Sequence, residues 1–75
     1  MQIKLKLDYN THSINKNWKL EYSEINSEEK IELGNIEIND IGDEIIVEVS
    51  DNWERFYITP IDDEFSYATF TSGSI

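Results

Sequence analysis

The side chains with chemical potential in this chain are mostly carboxylates. Two clusters could in principle bind a hard cation through oxygen ligands: Asp40-Ile41-Gly42-Asp43-Glu44, and Asp62-Asp63-Glu64. Neither has the spacing of a calcium loop, which places acidic or amide groups at alternate positions ahead of a glycine. Paired carboxylates can also act as acid and base on a glycosidic bond, but that needs a cleft with the pair facing across it. His12 is the single histidine and lies in a polar stretch beside Ser13. Activating a hydroxyl requires a base in hydrogen-bond reach and a third group to orient that base, and nothing in the sequence specifies one. With no cysteine, there is no thiolate nucleophile, thiolate metal site or disulfide. The three glycines, Gly34, Gly42 and Gly73, are scattered and form no phosphate-cradling loop. A non-enzyme with no cofactor and no metal is expected.

The charge balance is more informative. Six Lys and Arg stand against sixteen Asp and Glu, a formal net charge of −10. Contact with a nucleic-acid backbone or an anionic membrane needs the opposite sign, so a basic protein is the electrostatic complement. The imbalance is also uneven along the chain. Residues 1–20 hold Lys4, Lys6, Lys16 and Lys19 against Asp8 alone, whereas only Lys30 and Arg55 offset the acids that follow. On a strand, same-face neighbours lie about 6.6 Å apart. Two carboxylates at that spacing repel by about 0.6 kcal/mol even in water. Glu44 and Glu48 share one face in this way around Ile46, and turn residues add further acids.

The elements that must hold these side chains read as strands. At 75 residues, with 39% hydrophobic residues including two Trp, four Tyr and three Phe, the chain makes one compact domain with one core. Met1, Ile3, Leu5, Leu7 and Tyr9 alternate with polar residues, which is the period of a half-buried strand. Trp18, Leu20 and Tyr22 repeat the pattern after a polar loop over 10–17. Glu44–Ser50 and Trp53–Thr59 read as a strand pair joined through "SDN", with Pro60 closing the second. Phe65–Thr71 reads as the last strand, and residues 72–75 as a frayed tail.

Residues 27–33 admit a short helix, with Ser27 as its cap and Gly34 past its end. They also admit a strand. A strand turning at Gly34-Asn35 would set Glu32 against Glu37 across a ladder, and a bulge in one longer strand avoids that. The expected fold is all-β: a small antiparallel meander of five or six strands, forming a curled sheet or small barrel. The opening "MQIKLKLDYN" has no apolar signal region, and the longest aliphatic run, Ile45-Ile46-Val47, cannot span a bilayer. A soluble cytoplasmic protein is expected, and the Ile-, Asn- and Lys-rich usage fits an AT-rich bacterial or phage source.

Trp53, Arg55 and Tyr57 share strand parity and, with Phe56 and Ile58 inward, would present residue types enriched in binding hot spots. The expected partner surface therefore comprises Asp40, Asp43, Glu44, Glu48, Asp51, Trp53, Glu54, Arg55, Tyr57, Asp62, Asp63 and Glu64. The functional expectation is a non-catalytic inhibitor from a phage or mobile element. It would occupy the basic groove of a nucleic-acid-handling host protein, partly as a nucleic-acid mimic in an anti-defence role. The alternatives are an immunity protein neutralising a cationic toxin, or a homodimeric assembly module using the Trp53 face.

Overall fold

The two most regular alternations, β1 (Gln2–Asn10) and β2 (Asn17–Glu24), take the middle of two separate sheets. The structure is a computed structural model that describes residues 1–10, 17–38, 40–62 and 65–75. The other strands are β3 (Ile31–Glu37), β4 (Glu44–Glu48), β5 (Trp53–Pro60) and β6 (Ala68–Ser74). One sheet has the order β4-β1-β6 and the other β3-β2-β5, and every pairing is antiparallel. The fold is all-β, as expected. The single meander is corrected to a pair of three-stranded sheets, with no helix among the described residues.

The reason is burial. Ile3, Leu5 and Leu7 of β1 and Trp18, Leu20 and Tyr22 of β2 are all buried. A row of apolar side chains on one sheet needs a second layer above it, and two such rows cover each other. Fully burying side chains of this size is worth about 1.5–3 kcal/mol each. The core has two lobes: Ile3, Leu5, Leu20, Tyr22 and Val49 form one, and Leu7, Trp18 and Ile38 the other. Phe70 meets Trp18 edge-on at 6.1 Å. The Trp18 indole N–H, buried in this lobe, has no hydrogen-bond partner among the described residues.

The expected Glu44–Ser50/Trp53–Thr59 hairpin does not form. β4 pairs with β1 and β5 with β2, so the intervening "SDN" turn carries the chain from one sheet to the other. Its backbone is held there by Ile25 N–H to Asn52 C=O at 2.8 Å and Trp53 N–H to Ser50 C=O at 3.2 Å. The last strand starts at Ala68 rather than Phe65. Ser72–Ser74, expected to fray, pair instead with Leu5, Lys4 and Ile3.

The ambiguous middle segment is a strand with a bulge. Leu20 opposes Gly34 and Glu21 opposes Glu32, which leaves Leu33 as the extra residue. Gly34 sits at φ 107°, a conformation glycine adopts without penalty. Leu33 and Ile36 have opposite parity, yet both pack on the core, because the bulge reverses the alternation between them.

Candidate interaction surfaces

Register fixes what each outer sheet face presents. On the first sheet, Lys6 lies opposite Glu44 and Gln2 opposite Glu48. The Lys4 ammonium reaches the Glu44 carboxylate at 3.0 Å, and the Met1 amine reaches Glu48 at 2.9 Å and Asp51 at 3.8 Å. The hydrogen bond to Glu48, with the nearby negative charges of Glu48 and Asp51, raises the amine above its ordinary value of 8.0; partial desolvation opposes the shift. Asp8 accepts a hydrogen bond from the Thr71 hydroxyl. Lys4, Lys6 and the amine thus match Asp8, Glu44 and Glu48 on one face. Glu44 and Glu48 do flank an exposed Ile46, but the amino-terminal strand supplies cations to both.

Among the described residues the second sheet balances by number rather than by ion pairs, and its register sets Glu21 opposite Glu32. Its outer face carries Lys19, Lys30 and Arg55 against Glu21, Glu32 and Glu37. The Lys30 ammonium sits 4.4 Å from the centre of the Tyr57 ring, and the Tyr57 and Ser23 hydroxyls lie 3.4 Å apart.

The remaining described acids belong to the connections and to one bulge, at the two ends of the sandwich. At one end are Glu24, Glu28, Glu29, Asp51 and Glu54. Ser50 ties this group together by donating its hydroxyl to Glu24 at 2.6 Å, while Glu29 N–H bonds the Ser27 hydroxyl at 3.2 Å. At the other end, Asp43 accepts from Asp40 N–H at 2.9 Å, and Asp62 accepts from the backbone and side-chain N–H groups of Asn17 at 3.2 and 2.8 Å. Asp43 and Asp62 therefore brace turns. A strand and its flanks separate Asp43 from Asp51, roughly 20–25 Å of extended chain.

The expected partner surface is therefore divided. Asp40, Asp43 and Asp62 lie at one end, Asp51 and Glu54 at the other, and Glu44 and Glu48 on a matched face. Asp63 and Glu64, like His12 and Ser13, lie outside the described residues. Among the described residues no group of three or more His, Cys, Asp or Glu is placed to hold a metal ion.

The proposed Trp53–Arg55–Tyr57 patch is also corrected. Ser23 opposes Arg55 and Glu24 opposes Trp53, so Glu54 is an extra residue and the alternation reverses there. Trp53 turns inward onto the core, 5.1 Å from the Phe56 ring, while Arg55 and Tyr57 stay outside. Glu24, Glu28 and Glu29 were not among the expected contacts. They are remote in sequence from Asp51 and Glu54, and the sheet crossing that joins them has no local signal.

A concave feature lies beside these surfaces. The sandwich is open between its β5 and β6 edges, where a cleft of about 380 Å³ is lined by Leu5, Trp53, Phe56, Ile58, Ala68 and Phe70 together with Glu54, Arg55 and Ser72. Its floor is the inner side of the core. No family model, curated protein or solved structure matches this chain.

Proposed function

We propose that this chain is a small non-catalytic binding protein whose partner is a cationic protein surface. The observation that carries the reading is where the charge resides. Cations pair with carboxylates on the first sheet face and equal them in number on the second, so the excess behind the net charge of −10 lies mainly in the connections. Glu28, Glu29, Asp51 and Glu54 are all exposed at one end. Crowded like charges there raise the free energy of the isolated protein, and a basic partner relieves that cost on contact.

This arrangement favours contact through an end of the sandwich over a ribbon of carboxylates spaced like phosphates along one strand. Blockade of a nucleic-acid-handling host protein by a phage-encoded chain is the biological form of the proposal, since such proteins carry the basic surfaces required. The test is capture from bacterial lysate at low salt, elution along a salt gradient, and identification by mass spectrometry. The expected partner is basic, elutes by moderate salt, and is lost with the quadruple variant Glu28→Gln, Glu29→Gln, Asp51→Asn and Glu54→Gln. A partner held equally at low and high salt, or retained by that variant, would refute the proposal. Competition by nucleic acid for the captured protein would separate a mimic from a neutraliser of some other basic surface.

A further inference from the structure

Each sheet leaves two outer strands, and three of the four carry features that discourage another strand from pairing. β3 has the Gly34 bulge with Glu32 and Glu37. β4 is only five residues long and has Glu44 and Glu48 at its ends. β5 has the bulge at Glu54, a charged Arg55 and a terminal proline, Pro60. Charges, bulges, prolines and short length are the usual defences of a sheet edge. β6 has none of them. Its sequence ATFTSGS is seven residues long, uncharged and free of proline, and among the described residues it pairs only with β1. Residues 71–74 are exposed. Beside this edge lies the cleft, with Phe70, Phe56, Ile58 and Trp53 in its wall.

We infer that the free edge of β6 accepts an extended polypeptide segment of a basic partner as a fourth strand, with one bulky apolar side chain of that segment seated in the cleft. Strand addition takes its affinity from main-chain hydrogen bonds and its selectivity from pockets for alternate side chains, and β6 and the cleft supply both. The volume is within the range of small-molecule pockets, so it admits a side chain as large as Phe.

Charge identifies the occupant. Glu54 and Arg55 both line the cleft and offset each other there, so the field at the segment's two ends comes from the acidic connections at either end of the sandwich. Lys or Arg on each side of the apolar residue meets that field. A second copy of the chain would bring another net −10 to the same place. This inference rests on the basic-partner reading and adds the place and the backbone form of the contact.

The probe is the peptide Lys-Lys-Thr-Val-Phe-Val-Thr-Lys-Lys, read by amide hydrogen exchange and chemical shifts of the whole chain. Alternate β6 amides, those pointing away from β1, are expected to gain protection on binding. The same peptide with glutamates for its lysines, or glycine for its Phe, is expected to bind at least about tenfold more weakly. Ser72→Phe, which adds bulk to the cleft lining, is expected to weaken the lysine peptide to a similar extent. Its melting temperature reports whether the fold is kept, and the glycine-substituted peptide tests the same contact if it is not.

Binding that perturbs only the acidic turns and leaves β6 amides unprotected would overturn the edge site while leaving the basic-partner reading standing. Equal binding of the glutamate peptide at β6 would overturn the charge requirement, and the basic-partner reading with it. Concentration-dependent dimerisation through β6 in sedimentation would assign the edge to a second copy and overturn this inference.

Discussion

Gly34 holds φ at 107°, and a Cβ built there would meet nothing within 4 Å. The position requires glycine for its backbone conformation, with no steric reason beside it. Gly34→Ala is expected to lower stability by about 1–3 kcal/mol, measured by chemical denaturation, and to do so without a cavity or clash. The Met1 amine makes a second residue-level case. Its folded value is raised, so the stability it contributes is fully present below the unfolded value near 8 and is lost as pH rises through the folded value. The difference in melting temperature between the wild type and Glu48→Gln should therefore be largest at neutral pH and shrink in alkaline buffer. A difference that persists unchanged at high pH would mean Glu48 acts through another contact. Neither the glycine's conformation nor the amine's partner is spelled out by neighbouring residues, because each depends on a strand distant in sequence.

At the scale of the strands, alternation was readable wherever it ran unbroken. β2 keeps its parity from Trp18 to Tyr22 and β1 from Ile3 to Leu7, so those buried rows follow from the sequence alone, whereas a bulge between Leu7 and Tyr9 leaves the expected Tyr9 exposed. β3 and β5 change parity inside the strand, and the face each residue takes depends on where the extra residue sits. A bulge near Gly34 was legible from the glycine and from the Glu32–Glu37 opposition that a bulge avoids. The bulge at Glu54 was not, because Trp53, Arg55 and Tyr57 make a plausible outward row. That single reversal moved Trp53 from an expected contact to the core. Trp53→Ala should accordingly cost about 2 kcal/mol or more in unfolding free energy. The β3 bulge removes the feared Glu32–Glu37 opposition but places Glu32 opposite Glu21. Glu32→Lys is expected to stabilise the fold by roughly 0.5–1 kcal/mol, since it turns a repulsive cross-strand pair into an attractive one. A denaturation midpoint unchanged or lowered by Glu32→Lys would show the two side chains already splayed apart.

For the molecule as a whole, the total charge could be counted from the sequence, but its distribution could not. The matched faces arise from register, above all from β1 lying beside β4, and antiparallel partners so far apart in sequence leave no local trace. Exposed ion pairs of this kind are worth little each and weaken with salt, whereas the crowded ends gain from screening. The end term is expected to dominate, so the melting temperature should rise between low and physiological ionic strength; a fall would mean the face pairs contribute more than the ends. The same arrangement of partners governs how the chain acquires its shape. Ile3 lies beside Ser74, and among the described residues β2 with β3 is the only hydrogen-bonded pair of consecutive strands. The first sheet thus closes only when β1 meets β6 across the intervening four strands, a search that slows folding relative to a hairpin-built domain. During synthesis β1 must wait, half covered, until β6 has left the ribosome.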